Sequence, residues 1–249
     1  MLVIGERINT SREKIALAVA ARDSDYIAQE AMVQIEAGAQ MVDVNVGTFV
    51  AEEPEYLKWT VETIQRVVEL PLCLDSPNPV AMAAGLAAHR GKAMLNSITG
   101  QKERFSGMMP LIRGYGCSVV ALCVDDRGTP HTVEERFQIA SNLIQRLTGE
   151  GVPEDDIYID PVVSPISTDA GSGVAVLDTI ERIRQSFKGV HVICGLSNIS
   201  YGLPLRKQLN QMFLVLAMAR GLDAVIIDPC DARMIANLLT AKTLLGEDD

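Results

Sequence analysis

Eight short apolar segments alternate with segments of helical character along the whole chain, and this alternation constrains the fold more than any other feature of the sequence. The apolar segments cover residues 2–7, 40–46, 71–75, 92–96, 117–124, 157–160, 190–196 and 224–227. Between them, apolar residues recur at the spacing of amphipathic helices. Strands that alternate with helices in this way are joined by right-handed crossovers, so we predict a parallel sheet.

The length of the chain favours closure of this sheet into a barrel. A (β/α)8 barrel typically takes about 250 residues, and the chain has 249. An open doubly wound sheet would be expected to carry a glycine-rich dinucleotide-binding turn after its first strand, whereas the turn here reads Gly5-Glu6-Arg7-Ile8-Asn9. No linker divides the chain, so we predict an α/β protein with one domain, a (β/α)8 TIM barrel that spans residues 1–249.

Local signals predict where some helices and loops begin. Thr10 with Glu13, and Thr132 with Glu135, match the Ser/Thr-x-x-Glu capping box of a helix N-terminus. Residues 163–173 contain proline and two glycines and lack regular apolar spacing, so we expect a long loop between a strand and the helix that follows.

The charge and the distribution of apolar residues argue against nucleic-acid and membrane partners. The formal net charge is −10, whereas a nucleic-acid-binding face needs basic residues to neutralise phosphates. No apolar run approaches the roughly 20 residues that cross a bilayer. Glu6 and Arg7 stand where a signal peptide would need a long apolar stretch. We therefore predict a cytoplasmic protein.

The cysteines are expected to be buried, reduced thiols. There are five, far apart in sequence and without a Cys-x-x-Cys pair: Cys73, Cys117, Cys123, Cys194 and Cys230. Most lie within apolar segments, where a free cysteine packs as a small hydrophobic residue. The three histidines are also scattered, so we predict no structural zinc site.

Polar residues follow the apolar segments at their carboxyl ends. In a (β/α)8 barrel these ends and the loops after them form the active site, so the following residues are expected to share one rim: Glu6, Asn9, Asp43, Asn45, Asp75, Asn96, Asp160, Asn198 and Asp228. Asp160 ends the segment Ile157-Tyr158-Ile159 and is expected to be buried. A buried carboxylate needs a partner, and we interpret that partner as a ligand.

The chemistry of this rim favours recognition of a flat heterocycle that carries hydrogen-bond donors. It offers carboxylates and amides but no histidine, lysine or obvious nucleophile. Two alternatives stay open. Some of these residues, Asp43 and Asp228 in particular, could simply cap the following helices. An oxygen-rich rim could also bind magnesium or calcium, although half of the set are amides, and we predict no tightly bound metal.

Six segments occur in an order that resembles the pterin-binding methyltransferases. They are Gly5-Glu6-Arg7-Ile8-Asn9, Asp43-Val44-Asn45-Val46-Gly47, Cys73-Leu74-Asp75-Ser76, Leu95-Asn96-Ser97, Tyr158-Ile159-Asp160-Pro161 and Gly195-Leu196-Ser197-Asn198. From Met1 to about Leu245 the chain is similar to the methyltetrahydrofolate:corrinoid protein methyltransferases, relatives of the folate domain of cobalamin-dependent methionine synthase.

The resemblance implies a role for each matching residue. Asp160 would accept hydrogen bonds from the pterin N3–H and 2-amino group, and Asp75 and Asn96 would hold the opposite edge of the ring and its N8–H. Asn198 would reach N5 and its methyl group. The wider set implied to contact the pterin adds Asp43, Asn45, Gly195, Ser197 and Arg206. Arg206 would orient the loop after the seventh strand or touch the folate tail, or else be an ordinary surface arginine.

The resemblance also implies the reaction and its partners. A methyl group would pass, in either direction, between N5 of tetrahydrofolate and the cobalt of a corrinoid such as cobalamin. The corrinoid would be carried by a separate protein, either a small corrinoid protein or a corrinoid iron-sulfur protein. The nucleophile would then come from outside the chain. Asn198 can donate a hydrogen bond to N5 but no proton, so we hypothesise that water supplies the proton through a network including Asp160 or Asn198. The family is also expected to form a homodimer.

Two alternative functions remain open. Dihydropteroate synthases share the barrel and the pterin pocket, but their characteristic Gly-Gly-Glu-Ser and Ser-x-Arg-Lys segments are replaced here by Asn45-Val46-Gly47-Thr48 and Ser197-Asn198-Ile199-Ser200. This departure argues against condensation with p-aminobenzoate. The second alternative is a module that binds folate or a corrinoid protein without catalysing a reaction.

Overall fold

The fold is a closed barrel of eight parallel strands, seen in a computed structural model that describes residues 1–247. The strands neighbour one another in sequence order, and β1 pairs with β8 to close the barrel. They are β1 Leu2–Asn9, β2 Met41–Asn45, β3 Leu72–Asp75, β4 Met94–Thr99, β5 Ser118–Leu122, β6 Ile157–Asp160, β7 His191–Gly195 and β8 Ala224–Ile227. The predicted (β/α)8 barrel is confirmed. Residues 248 and 249, the last two of the predicted domain, lie outside the described part.

Helices surround the barrel, with two after the first strand and one after each of the others. They are α1 Glu13–Ala21, α2 Ser24–Glu36, α3 Glu53–Ile64, α4 Pro79–Ala88, α5 Lys102–Tyr115, α6 Val133–Gly149, α7 Ser172–Ser186, α8 Arg206–Ala219 and α9 Ala232–Leu245. Two short 3₁₀ turns, Glu154–Asp156 and Leu196–Ser200, precede β6 and follow β7. Among residues 1–247, no helix has the length and apolar character required to span a membrane.

Side chains alternate between the inside of the barrel and the layer under the helices, as the twofold period of a strand requires. The inner layer is apolar and consists of Ile4, Met41, Cys73, Met94, Val120, Ile193, Ala224 and Ile226. The outward positions between them, such as Val42 and Leu95, join the larger core between strands and helices. The next inward positions toward the carboxyl ends of the strands therefore lie above an apolar floor.

One of the two predicted capping boxes is present and the other prediction is wrong. The Thr132 hydroxyl accepts a hydrogen bond from the backbone N–H of Glu135, whose carboxylate accepts one from the Thr132 N–H. At the first helix, Arg12 is the N-cap residue and makes no capping hydrogen bond through its side chain. Thr10 cannot cap that helix because it continues β1, where its N–H donates to the Asn45 carbonyl at 3.0 Å.

Four of the five cysteines are buried, as predicted, and all five are free thiols. The exception is Cys230, which follows β8 and is exposed. The predicted long loop is also present, since α7 begins only at Ser172, twelve positions after the end of β6 at Asp160.

Candidate functional site

The predicted rim residues occupy the first inward positions above the apolar floor of the barrel. On six of the eight strands, a step of two residues exchanges an apolar inner side chain for a polar one. This step leads from Ile4 to Glu6, Met41 to Asp43, Cys73 to Asp75, Met94 to Asn96, Tyr158 to Asp160 and Ile226 to Asp228. The strand period therefore accounts for why these residues converge at one end of the barrel.

Four of the predicted residues form one hydrogen-bonded cluster on β2, β3 and β4. Asp75 and Asn96 are direct partners in the strand register. The Asn45 side-chain amide donates to Asp75 Oδ2 at 2.8 Å, and the Asn96 amide donates to Asp43 Oδ1 at 3.2 Å. Asn45 thus supports a carboxylate on the neighbouring strand β3, and Asn96 supports one on β2, two strands away.

Burial makes these carboxylates hard to ionise. Burial raises the pKa of Asp43 well above its usual range, and the nearby Asp75 charge raises it further. Burial also raises the pKa of Asp75, against the lowering effects of the Asn45 hydrogen bond and the Arg104 charge. Hydrogen-bond donors from a ligand would offset the cost of burying these groups.

Asp160 stands alone at the end of β6. Its side chain is buried, at 8% exposure, and its Oδ1 accepts a hydrogen bond from the backbone N–H of Val162 at 2.8 Å. Within residues 1–247 its carboxylate has no ion pair and no side-chain hydrogen-bond partner. Burial raises the pKa of Asp160 to about 6, although backbone hydrogen bonds from Val162 and Gly195 lower it. This carboxylate has acceptor capacity left for a ligand.

The loop after β7 holds the remaining predicted residues. Arg206, in the first turn of α8, donates to the carbonyl of Ser197 at 3.0 Å and to the hydroxyl of Ser200 at 3.1 Å. The Asn198 side chain is exposed, and its Nδ2 lies 3.4 Å from the position that a Cβ on Gly195 would take. Arg206 therefore contacts the loop itself, and Gly195 leaves space beside the Asn198 amide.

A cavity of about 650 Å³ opens beside this loop, over the ends of β7, β8 and β1. Six of the predicted rim and contact residues line it: Glu6, Asn9, Ser197, Asn198, Arg206 and Asp228. Asp43, Asn45, Asp75, Asn96, Asp160 and Gly195 do not line it. The predicted residues are thus divided between the cavity, the cluster on β2 to β4, and Asp160 with Gly195.

The parts of the rim are nevertheless continuous. The backbone N–H of Gly195 donates to Asp160, which joins the ends of β6 and β7. Ser197 Oγ donates to Glu6 Oε2 at 3.1 Å, which joins the β7 loop to β1. The Glu6 charge in turn contributes to the raised pKa of Asp43 on β2. Hydrogen bonds therefore connect the ends of β6, β7 and β1, and the charge of Glu6 acts on Asp43 of β2.

Sequence patterns missed several residues that support this rim. Arg104 donates to the carbonyls of Ser97 and Pro77, and so ties together the loops after β3 and β4. The Ser76 hydroxyl donates to the buried carboxylate of Glu53 at 2.6 Å. No local signal marks these residues, because each acts on a segment more than five positions away in sequence. Among residues 1–247, no three His, Cys, Asp or Glu side chains form a group that could hold a metal ion.

The sequence profile of a family described as pterin binding enzyme matches residues 5–228. The chain belongs to this family. The resemblance seen in the strand-end motifs is thereby confirmed, and the match covers the strand ends β1 to β8.

This pterin-binding enzyme is similar to two curated proteins, one of which is named for a corrinoid and a folate. The chain is 34% identical over 250 residues to methylcorrinoid:tetrahydrofolate methyltransferase of Eubacterium limosum, a match that covers 100% of the chain and 92% of the relative. It is 32% identical over 240 residues to methionine synthase of Mycobacterium tuberculosis. That second match covers 91% of the chain but 20% of the much longer synthase.

Solved structures show the same fold at lower identity. Dihydropteroate synthase from Xanthomonas albilineans in complex with 7,8-dihydropteroate matches with a TM-score of 0.78 and 21% identity, covering 100% of the chain and 94% of the synthase. Dihydropteroate synthase from Stenotrophomonas maltophilia matches with a TM-score of 0.75 and 20% identity, covering 100% and 94%. At this identity the likeness establishes the barrel of the pterin-binding enzyme and nothing about its reaction.

Proposed function

We propose that this pterin-binding enzyme is a methyltransferase that moves a methyl group between N5 of tetrahydrofolate and the cobalt of a corrinoid on a separate protein. The observation that carries the proposal is the likeness over the whole chain to a protein named methylcorrinoid:tetrahydrofolate methyltransferase. The transfer is proposed in either direction, since the same pocket must bind both the methylated and the free folate.

The proposed pterin pose uses the carboxylates above the barrel floor. Asp160 accepts from the N3–H and the 2-amino group of the ring, and its burial without a side-chain partner supports this role. Asp75 and Asn96 bind the opposite edge. Asn45 and Asp43 hold these two side chains in place, as their hydrogen bonds at 2.8 and 3.2 Å indicate. Charge-assisted hydrogen bonds of this kind fix the orientation of the ring.

The proposed chemistry centres on N5. When the bond between N5 and the methyl carbon breaks, N5 keeps the electron pair and must gain a proton or strong hydrogen-bond stabilisation. Asn198 donates a hydrogen bond that strengthens as charge develops on N5. Water is the proposed proton source, through a network that includes Asp160 or Asn198. The reverse reaction removes that proton by the same route.

The partner proposed for the reaction is a small corrinoid protein or a corrinoid iron-sulfur protein that docks over the carboxyl ends of the strands. Cobalamin or a related corrinoid on that partner supplies the nucleophilic cobalt, so the chain needs no nucleophile of its own. We further propose a cytoplasmic homodimer without a tightly bound metal. The exposed side chains of Met212 and Leu216, spaced four residues apart on α8, support an apolar contact between subunits.

A stopped-flow assay tests the proposal. The purified chain, 5-methyltetrahydrofolate and a reduced corrinoid protein are mixed, and the absorbance of Co(I) is followed, with the reverse reaction started from the methylated corrinoid protein. We expect Co(I) to decay only when enzyme and methylated folate are both present. Asn198→Ala should lower the rate of transfer by about 10²-fold or more with a smaller change in folate affinity.

Calorimetric titration of the same proteins separates the alternatives. Asp160→Ala should lose folate binding while its circular dichroism spectrum stays unchanged. Tight folate binding without transfer to any corrinoid protein would identify a binding module. Wild-type protein that binds no folate would overturn the proposal altogether.

A further inference from the structure

A buried arginine lies beside the end of β6. Arg136 belongs to α6 and is 1% exposed. Among residues 1–247, no carboxylate oxygen lies within 4.0 Å of its guanidinium nitrogens. The charges of Asp169 and Glu135 act on it only from farther away, and burial lowers the pKa of Arg136. A buried cation without an ion pair is costly, so its hydrogen bonds indicate its role.

The hydrogen bonds of Arg136 go to the backbone. Its Nε donates to the carbonyl oxygen of Pro161 at 3.0 Å, and its Nη1 donates to the carbonyl oxygen of Thr132 at 3.4 Å. Thr132 is the N-cap residue of the same helix, whereas Pro161 directly follows Asp160 in the chain. The bond to Pro161 therefore joins the buried positive charge to the strand end that carries Asp160.

The peptide group between Pro161 and Val162 is hydrogen-bonded at both ends. Its carbonyl oxygen accepts from Arg136, and its N–H, which belongs to Val162, donates to Asp160 Oδ1 at 2.8 Å. One peptide group thus links a guanidinium to a carboxylate. Hydrogen bonds in such a chain polarise one another, so the charge of Arg136 should make the Val162 N–H a stronger donor to the ionised carboxylate.

The backbone of Val162 is adapted to this link. Its φ is +66°, in the left-handed region that a β-branched residue seldom adopts. Within residues 1–247, Arg22 and Leu205 are the other non-glycine residues with a positive φ, and neither is β-branched. Such a conformation persists only where surrounding contacts hold it. The two hydrogen bonds of the peptide group supply contacts of this kind.

We propose that Arg136 is a positioning residue for the pterin site, which favours the ionised form of Asp160 through the peptide group between Pro161 and Val162. The chain of hydrogen bonds from Arg136 through this peptide group to Asp160 is named the α6 relay. Its role rests on the proposed function, in which Asp160 binds the pterin. The ionised carboxylate is the form that accepts from both pterin donors.

The other groups near Asp160 leave this role to the relay. Two thiols feel the Asp160 charge, those of Cys123 and Cys194, and burial raises the pKa of both, so both remain uncharged near neutral pH. Burial raises the pKa of Asp160 to about 6, and hydrogen bonds from the N–H groups of Val162 and Gly195 lower it. The relay acts through the first of these two donors.

Titration of the Asp160 carboxyl tests the relay without folate. Aspartate labelled with carbon-13 at the side-chain carboxyl is followed by NMR between pH 4 and pH 9, and Asp160→Asn identifies the signal. Arg136→Met removes the charge and the donor but keeps an unbranched side chain. It should raise the midpoint of Asp160 by about one pH unit. Arg136→Lys retains a charged donor and should keep the midpoint close to that of the wild type.

Arg146→Met is the matched control. Arg146 lies on the same helix, is half-buried and also donates to a backbone carbonyl, that of Gly100 after β4, at 3.1 Å. The same substitution at this position should leave the midpoint of Asp160 unchanged. Shifts of equal size in Arg136→Met and Arg146→Met would overturn the relay.

Val162→Pro interrupts the relay at its other end and leaves α6 unaltered. Proline has no N–H and cannot adopt a positive φ, so Asp160 loses the donor and its midpoint should rise. Arg136→Met should add little in the Val162→Pro background, because both changes break the same link. Additive shifts would overturn the relay. If Arg136→Met does not fold, Val162→Pro alone decides, since an unchanged midpoint there would also overturn it.

Folate affinity distinguishes the relay from a purely structural role. In calorimetric titrations with 5-methyltetrahydrofolate, Arg136→Met should bind more weakly than the wild type by a factor that approaches tenfold below pH 6. At pH 9 the two affinities should agree within about twofold, because Asp160 is then ionised in both proteins. A loss of equal size at every pH would assign Arg136 to structure alone and overturn the relay.

The two measurements also separate the relay from the proposed function. If the wild type binds no folate at any pH, the proposed function is wrong, whereas a raised midpoint of Asp160 in Arg136→Met would still support the relay. If the wild type binds folate but Arg136→Met leaves the midpoint unchanged, the relay is wrong and the proposed function stands.

Discussion

Asp160 combines deep burial with the lack of a side-chain partner in the described residues. Its two backbone donors, Val162 and Gly195, lower the pKa of the carboxyl, yet burial outweighs them and raises the pKa to about 6. Asp160 should bind a pterin well only when it is ionised, because a protonated carboxyl group has less capacity to accept hydrogen bonds from the two pterin donors.

Folate affinity should therefore depend on pH through Asp160. As the pH falls through about 6, protonation of Asp160 should weaken binding, approaching tenfold per pH unit below that value. Asp160→Asn should bind folate about 10-fold to 100-fold more weakly than the wild type at pH 8, because charge-assisted hydrogen bonds are lost. The folate affinity of this variant should no longer change as the pH passes through about 6. Calorimetry between pH 5 and pH 8 measures both effects.

Protein stability provides the control, because its expected pH dependence is opposite to that of folate affinity. Folding raises the pKa of the Asp160 carboxyl. The contribution of this group to the free energy of unfolding is therefore fully present below its pKa in the unfolded chain, and it is lost as the pH rises through about 6. The loss amounts to about 3 kcal/mol. Asp160→Asn should thus resist urea better than the wild type at pH 8. A less stable variant at pH 8 would mean that the carboxylate is compensated without ligand.

At the residue scale, the positions that the strand period determines were predictable from the sequence. Asp75 and Asn96 could be assigned to one rim because both follow apolar residues at the end of a strand. Which of these side chains form hydrogen bonds with each other was not predictable. The pairing of Asn45 with Asp75 depends on the register between β2 and β3, and that register is fixed by the packing of the whole barrel.

Among the strands, β1 has an irregularity that shapes the site. Its register with β2 shifts between Gly5 and Ile8, and the Arg7 N–H donates to the side chain of Gln34 at 2.9 Å. Gln34 comes from α2 and is fully buried. Such bulges commonly redirect side chains next to active sites, and here Glu6, Arg7 and Asn9 all line the cavity.

Gly5→Ala should destabilise the protein through this bulge. An added Cβ would lie 2.3 Å from Gln34 Oε1, so the buried amide that accepts the Arg7 N–H would have to move. We expect a loss of about 1–3 kcal/mol in the free energy of unfolding, as for other overpacked sites. Urea denaturation measures it.

Gly114→Ala is the matched control for this substitution. Gly114 lies inside α5, and no neighbouring heavy atom is within 4 Å of its added Cβ. Alanine favours a helix by up to about 1 kcal/mol over glycine, so this variant should be as stable as the wild type or more stable. Equal losses in both variants would contradict the role given to Gly5.

The two predicted capping boxes show how far local patterns reach. At Thr132 the pattern acts without competition, and the capping box forms. At Thr10 the same pattern competes with the strand ladder, and the hydrogen bond to Asn45 determines the backbone. The 3₁₀ turn Leu196–Ser200, which carries Asn198, was not predicted either, because its residues lack a local signal for that turn.

Across the whole molecule, the two ends of the barrel have different electrostatic character. At the amino ends of the strands, His191 Nδ1 lies 2.9 Å from Asp223 Oδ2 and its Nε2 lies 3.2 Å from Asp155 Oδ1. The ring stacks on Tyr158 with 4.6 Å between ring centroids. The hydrogen bond to Asp223 is the main cause that raises the pKa of His191.

The global architecture was the most predictable level. Eight repeats and a length of 249 residues leave closure as the solution that removes both edges of the sheet, and β1 does pair with β8. The contacts of His191 could not be predicted in this way. They join β7 to the segments before β6 and β8, and only the closed barrel brings these segments together.

His191→Asn should therefore reduce stability without affecting the site at the other end. A raised pKa means that the stabilisation is fully present below the ordinary pKa of histidine, near 6.5, and is lost as the pH rises through the higher value of the folded protein. The melting temperature of the variant should fall below that of the wild type at pH 5.5, and the difference should shrink by pH 8.5. Folate affinity should stay the same at both pH values, since residues at the amino ends of barrel strands serve stability and those at the carboxyl ends serve function. This separation of the two ends would be contradicted if the variant melted at the same temperature as the wild type at pH 5.5. It would also be contradicted if the fully folded variant had a changed folate affinity.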